Sequence, residues 1–117
     1  MAAKKKLAVV KRLQGVVIEP NGTATAVELD STLQALWDTI GGYVERVVLV
    51  DGADMFVNED GLRLQLAPNP LADALVKSHQ QHKTLGVILG TALVLGAVDH
   101  RGDSTDAPEW VYEYLTH

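Results

Sequence analysis

The chain contains no cysteine, and its aromatic residues are two Trp, three Tyr and one Phe among 117 positions. The absence of cysteine excludes disulfide bonds, thiolate metal sites and a cysteine nucleophile, and it is consistent with a reducing cytoplasm. The longest apolar run, residues 86–98, is too short to span a membrane. No apolar segment long enough for a secretory signal follows the first lysines. We therefore expect a cytoplasmic protein that makes no membrane contact.

Charge is distributed unevenly along the chain, whose net charge is −5. The first fourteen residues contain no acid and carry five bases, Lys4, Lys5, Lys6, Lys11 and Arg12. The other residues carry five bases against fifteen acids, a net charge of −10. This split predicts a basic N-terminal arm over residues 1–14 and a single α+β domain over residues 15–117. Nucleic acid would bind only through the five bases of the arm, because the acidic body repels phosphates.

An amphipathic helix is predicted between Leu33 and Ile40, where apolar side chains recur at helical spacing. Ser31, with Gln34 three residues later, matches a capping box and predicts the N-cap. Gly41 predicts the end of the helix, because glycine readily adopts the left-handed conformation that closes one. The chain therefore turns from this helix into the next element within two residues.

Alternating side chains and turn residues predict the strands. Residues 43–50 and 62–66 each alternate with a period of two, which is typical of half-buried strands. Asn21-Gly22 lies between two apolar segments and predicts a tight hairpin. Residues 86–98 show no polar alternation, so we expect one bent strand or two strands in the centre of a sheet, buried on both faces.

A second main helix is predicted at the C-terminus. Asp106 is its predicted N-cap, and Pro108 lies in its first turn. Its apolar stripe includes Trp110 and Val111 and should pack on the sheet. The predicted fold class is therefore α+β. We expect a mixed, mostly antiparallel sheet of five or six strands, with the Ser31 helix and the C-terminal helix packed on one face.

No residue pattern predicts a metal, a cofactor or a reactive nucleophile. His79 and His82 have metal-ligand spacing, with His100 or Asp99 as a third ligand, but their polar surroundings favour solvated histidines. No serine lies in a strand–turn–helix elbow between glycines. The one glycine pair follows a helix instead of preceding one, which is the wrong polarity for a phosphate-binding loop.

Polar residues beside turns and at strand ends form the candidate ligand- or partner-binding surface, because a sheet edge can bring such residues together. We place in it Tyr43, Glu45, Asn58, Glu59, Asn69 and Thr91. Four glycines are predicted to serve as structural turns beside these residues, namely Gly41, Gly42, Gly61 and Gly90. Glu45 and Glu59 could also act as an acid/base pair, although carboxylates at turns are usually solvated.

Several of these residues fall in blocks that resemble one known family. The blocks are Val16-Val17-Ile18-Glu19-Pro20, Leu33-Gln34-Ala35-Leu36, Gly41-Gly42-Tyr43-Val44-Glu45, Asn58-Glu59-Asp60-Gly61, Leu66 with Asn69, and Gly90-Thr91 followed by Gly96. Over roughly residues 15–98 the chain resembles the domain of unknown function 3846 family, whose members are small proteins of bacteriophages, actinobacteria and mobile elements of firmicutes. The resemblance implies a phage or mobile-element setting and supplies no activity.

The chain departs from the pattern of the family at two positions. Ala67 stands where a proline is expected, and Pro70 stands where a basic residue is expected. An anion contact made by that basic residue in relatives is therefore not expected here.

Four functions remain open from the sequence. The first is a non-enzymatic accessory protein, encoded by a phage or mobile element, that binds a host protein or a small ligand through the candidate surface. The second is an acidic decoy that antagonises a host DNA-handling or defence protein. The third is an enzyme that uses Glu45 or Glu59, and the fourth is a DNA-associated protein that uses the basic arm. Exposed strand edges are also compatible with a symmetric homodimer.

Overall fold

The computed structural model describes residues 11–81 and 86–116. In this part of the chain, five strands and three helices follow one another in the order β1 (Arg12–Ile18), β2 (Ala24–Asp30), α1 (Leu33–Ile40), β3 (Val44–Val48), β4 (Ala53–Asn58), α2 (Pro70–His79), β5 (Ala92–Gly96) and α3 (Glu109–Leu115). The predicted α+β class is confirmed.

The strands form one sheet in the order β2-β1-β5-β4-β3. All four of its strand pairings are antiparallel. The sheet therefore has five strands, and β2 and β3 form its two edges. The predicted hairpin connects β1 to β2, and the side chain of Asn21 accepts a hydrogen bond from the Thr23 amide at 3.0 Å.

Strand β5 lies in the middle of the sheet, as predicted for the apolar run. All five of its residues are buried, because β1 and β4 flank it and both faces of the sheet are covered. Within residues 86–98 only Ala92–Gly96 forms a named strand. Residues 86–91 instead follow an irregular path, and Leu89 makes a single antiparallel bridge to Pro68.

The helices cover opposite faces of the sheet, so the expectation that both main helices pack on one face is wrong. Helix α1 packs through Leu36 and Ile40 on the face that carries Phe56 and Leu93. Helices α2 and α3 pack on the other face; Leu75 and Val111, one from each, have no exposed surface. The reason lies in the strands. All residues of β4 and β5 are buried, so each face of the sheet has a covering layer.

Two predicted helix caps differ from the structure. The N-cap of α1 is Thr32 instead of Ser31, and the Thr32 hydroxyl accepts from the Ala35 amide at 3.1 Å. Helix α3 begins after Pro108 without a side-chain cap. Asp106 instead accepts from the Gln14 amide at 2.8 Å and so connects the α3 entry to β1. The residue spacing around Asp106 could not predict this contact, because Gln14 lies 92 residues away in the sequence.

The predicted strand at residues 62–66 is wrong. This segment is a series of turns, in which the Leu64 amide donates to the Asp60 carbonyl at 2.8 Å and the Leu66 amide donates to the Gly61 carbonyl at 3.0 Å. Gln65 adopts a left-handed conformation with φ of 56°. The segment thus satisfies its hydrogen bonds locally, and Leu62 is left 82% exposed.

Strand β1 begins at Arg12, three residues before the predicted start of the domain at residue 15. Leu13 is buried in the sheet. Arg12 forms ion pairs with Asp30 at 2.6 Å and with Glu28 at 3.2 Å. The side chain of Arg12 is therefore engaged on the edge strand β2.

Candidate functional site

The two glycine-containing blocks of the candidate surface meet at one end of the sheet. The Glu59 amide donates to the Tyr43 carbonyl at 2.9 Å, which joins the start of β3 to the end of β4. Gly42 lies against the Asn58 side chain, and a β-carbon at residue 42 would come within 2.9 Å of Asn58 Nδ2. A side chain at this position would displace Asn58. Gly42 therefore allows the two blocks to approach each other closely.

Asn58 supports the turn that follows it. The side chain of Asn58 is buried, and its Oδ1 atom accepts from the Asp60 amide at 2.8 Å. The Asn58 carbonyl accepts from the Gly61 amide at 3.2 Å. An asparagine that binds the backbone two residues ahead stabilises a turn. The sequence placed Asn58 in a binding surface, and the structure shows that its buried side chain also stabilises the turn.

Asn69, which the sequence placed in the candidate surface, is fully buried. Its Nδ2 atom donates to the carbonyl oxygens of Ile18 at 2.9 Å and Gly90 at 2.8 Å. Its Oδ1 atom accepts from the Ala72 amide at 3.1 Å and so caps α2. Asn69 thus connects the end of β1, the irregular segment before β5 and the start of α2. It serves as a structural junction.

Gly90 and Thr91 belong to the same junction. Gly90 has a φ of 80°, and a β-carbon there would lie 2.7 Å from Leu66 Cδ1. The left-handed backbone conformation favours glycine here, and a side chain would also displace Leu66. Thr91 follows at the entry to β5 and is half-buried. Neither residue lies beside Tyr43 in the cavities described below.

A cleft of about 180 Å³ opens at the outer edge of β3, on the face covered by α2 and α3. Glu45 and Glu59 contribute its carboxylates, and both are exposed. Its apolar lining includes Leu62, Val87 and Ile88. The cleft therefore combines two of the predicted site residues with apolar side chains that the sequence did not assign to the surface.

A second hollow of about 250 Å³ lies at the same end of the sheet, on the α1 side. Tyr43 and Leu64 line it together with Trp37, whose ring meets the Tyr43 ring edge-on at 5.1 Å. Asn58 lines both this hollow and the cleft. The two depressions are therefore neighbours.

Exposed apolar side chains gather around these depressions. Among the described residues the exposed large hydrophobic side chains are Leu33, Tyr43, Leu62, Leu64 and Val87. All but Leu33 line the cleft or the hollow. We call the six residues Tyr43, Glu45, Glu59, Leu62, Leu64 and Val87 the turn surface. The leucines were missed because their alternation resembles a strand, although the prolines at 68 and 70 leave such a strand little room.

Asp54 is a further polar group that the sequence did not single out. It lies in β4 and is 1% exposed, and neither of its carboxylate oxygens has a hydrogen-bond partner among residues 11–81 and 86–116. Burial raises the pKa of Asp54. The charge of Arg46 and the backbone amide of Val98 oppose this increase, although the Val98 amide is not placed to form a hydrogen bond. Arg46 forms an ion pair with Asp54, in which Nε lies 3.7 Å from Asp54 Oδ2. A polar residue within an otherwise apolar strand is the sequence signal that could have identified it.

The histidine considered as a metal ligand packs as an aromatic group instead. The ring of His79 stacks on Trp110 at 4.5 Å and meets Tyr114 edge-on at 5.1 Å. Within residues 11–81 and 86–116, no group of three or more His, Cys, Asp or Glu side chains is arranged to hold a metal ion. His82 lies outside these ranges, as do Lys4, Lys5 and Lys6 of the arm.

The fold and the turn surface define a small α+β domain with an exposed apolar and acidic patch at one end of its sheet. Residues 13–117 match the family model described as Domain of unknown function (DUF3846), so the chain belongs to that family. The match confirms the resemblance noted in the sequence and extends it through α3. No match to the chain was found among curated proteins or solved structures. None of the described helices has the length and apolar character needed to cross a membrane.

Proposed function

We propose that the protein is a small, non-enzymatic accessory protein that captures a partner protein through the turn surface. One observation carries this proposal: four of the five exposed large hydrophobic side chains in the described ranges lie around two adjoining depressions. Contiguous exposed apolar surface is unfavourable in water and is characteristic of interaction sites. The cleft and the hollow supply the concave shape that anchors a partner side chain.

The chemistry of the turn surface favours a basic and apolar partner segment. Glu45 and Glu59 lie on the cleft that Leu62 and Val87 also line. An apolar anchor seated between these side chains would bring the flanking residues of the partner close to both carboxylates. Lys or Arg at those flanking positions would complement the carboxylates and favour correct orientation. The partner we propose is therefore a protein segment with apolar anchors beside basic residues.

The family resemblance supports a setting for this interaction. Relatives occur in bacteriophages, actinobacteria and mobile elements, so we propose that the partner is a protein of the bacterial host cytoplasm. We favour binding over catalysis by Glu45 and Glu59. The exposed apolar side chains beside these carboxylates can bury area against a partner protein, and this needs no chemical step.

The proposal can be tested by selecting peptides from a randomised display library on the immobilised full-length protein. Selected peptides should combine Leu, Ile or aromatic anchors with Lys or Arg. The double variant Leu62→Ser/Leu64→Ser should weaken their binding by a factor of about ten or more, since each buried apolar side chain contributes roughly 1.5–3 kcal/mol. Glu45→Gln/Glu59→Gln should weaken it less and reduce its dependence on salt.

Leu33→Ser is the matched control, because Leu33 is also an exposed leucine but lies on α1 away from both depressions. It should leave peptide binding unchanged. Peptides that bind the Leu62→Ser/Leu64→Ser variant as tightly as the wild type would overturn the proposal. Binding carried by charge alone, lost almost completely at high salt and insensitive to the leucines, would instead favour the decoy interpretation.

A further inference from the structure

The two edges of the sheet differ in how they are protected. At the β3 edge, the Gln81 amide donates to the Val48 carbonyl at 3.3 Å and the Val50 amide donates to the His79 carbonyl at 2.7 Å, so part of this edge is occupied. Glu45 and Arg46 add exposed charges of both signs. Charges and covering segments are two devices that prevent an edge strand from pairing with another chain.

The β2 edge lacks these devices over most of its length. Residues 23–27 have the sequence Thr-Ala-Thr-Ala-Val, without charge, proline or glycine. Thr23, Thr25 and Ala26 are exposed. Threonine and valine are also favoured in strands. The stretch is therefore suited to pairing with one more strand.

The backbone of β2 has hydrogen-bonding groups free on its outer side. The Glu19 amide donates to the Thr23 carbonyl and the Ser31 amide donates to the Lys11 carbonyl, so the odd-numbered residues of β2 face β1. Because backbone groups alternate between the two sides of a strand, Ala24, Ala26 and Glu28 direct theirs outward. Among the described residues, the outer groups of Ala24 and Ala26 have no partner. The Glu28 carbonyl receives only a long contact of 3.5 Å from Arg12 Nη2.

We infer that β2 pairs with β2 of a second copy of this chain, antiparallel and centred on Ala26. In this register each Ala26 lies opposite the partner's Ala26, and each Glu28 lies opposite the partner's Ala24. Every opposing pair of outward residues exchanges two backbone hydrogen bonds. A register centred on Glu28 would place like charges opposite each other and is disfavoured. The Ala26 register avoids this like-charge opposition and is self-complementary, as a twofold interface requires.

The dimer would contain a continuous ten-stranded sheet, with β3 at both outer edges. Each turn surface includes the start of β3 and therefore lies far from the β2 interface. Both surfaces remain free, and the dimer presents two of them to a partner that carries repeated segments. The interface does not depend on what the turn surface binds, so the two proposals can fail separately.

Sedimentation velocity of the full-length protein across a concentration series tests the pairing. The wild type should form dimers at about 100 µM, since one strand pair buries less area than a standard interface and binds weakly. Ala26→Lys places two lysines opposite each other and should weaken dimerisation at least about tenfold. Ala26→Ser is the matched control, and it should dimerise like the wild type.

Cross-linking provides a second measurement that identifies the edge involved. Because the chain has no cysteine, Ala26→Cys introduces a single thiol, which a short bismaleimide should join across the twofold axis into a covalent dimer. Arg46→Cys places the thiol at the β3 edge and should yield little cross-linked product. A wild type that stays monomeric throughout the series, or a dimer that persists in Ala26→Lys, would overturn the inference.

Discussion

Asn69 and Asp54 are both buried polar side chains, yet their surroundings are opposite. Asn69 has no exposed surface and makes three side-chain hydrogen bonds to the backbone. Asp54 is 1% exposed, and its carboxylate makes none with the described part of the chain. A buried polar group stabilises a fold when it is fully paired, and it destabilises the fold when it is not. The comparison predicts effects of opposite sign when each group is removed.

The largest effect is expected at the paired residue. Asn69→Ala should lower the free energy of unfolding by about 3 kcal/mol, because it leaves the Ile18 and Gly90 carbonyls and the Ala72 amide without their partner. Urea denaturation followed by circular dichroism measures the change. Asn21→Ala, in the exposed hairpin turn, is the control and should lower it by about 1 kcal/mol or less. If the two variants lost equal free energy of unfolding, Asn69 would stabilise the fold no more than an asparagine in an exposed turn does.

The role of Asn69 also shows where sequence reasoning stops. The Asn21-Gly22 hairpin, helix α1 and the central position of β5 were predicted correctly, because each depends on neighbouring residues or on a local apolar pattern. The burial of Asn69 depends on the Ile18 carbonyl, 51 residues away in the chain. No spacing around position 69 distinguishes this asparagine from an exposed one.

The helix positions and the structure of residues 62–66 were also predicted wrongly, because side-chain alternation does not determine either. The missing polar alternation in the run that contains β5 indicates burial on both faces of the sheet, but it does not show which helix covers which face. At residues 62–66 the alternation of leucines with polar residues has the period of a strand, while the backbone closes its own hydrogen bonds in turns. For the candidate site, Glu45 and Glu59 line the cleft and Tyr43 lines the neighbouring hollow, and their role in binding stays a prediction. The exposed leucines that give the surface its apolar character were not predicted.

The second prediction concerns Asp54, the buried carboxylate without a hydrogen bond among the described residues. Asp54→Asn removes the charge that burial disfavours and should raise the free energy of unfolding by about 1 kcal/mol near pH 8. The raised pKa of Asp54 means that the folded state binds a proton more tightly than the unfolded state. Stability is therefore regained as the pH falls through the folded pKa. The advantage of the variant should shrink as the pH falls from 8 through the folded pKa.

Denaturation at several pH values provides the measurement for Asp54→Asn. Glu113→Gln removes an exposed carboxylate on α3 and serves as the control, with an expected change within about 0.5 kcal/mol. A destabilised Asp54→Asn variant would show that the carboxylate has a partner after all, and Asp54 would then resemble Asn69.

The smallest effect is expected at Arg46, the only cation that faces Asp54 among the described ion pairs. The Arg46 side chain is 43% exposed and its Nε lies 3.7 Å from Asp54 Oδ2, so solvent screens much of the attraction. Arg46→Gln should therefore lower the free energy of unfolding by about 0.5 kcal/mol near pH 8. The same substitution in the Asp54→Asn background should have almost no effect, because the charge it compensates is gone. An equal loss in both backgrounds would mean that Arg46 stabilises the fold by packing along β3, and that Asp54 is without electrostatic compensation in the folded protein.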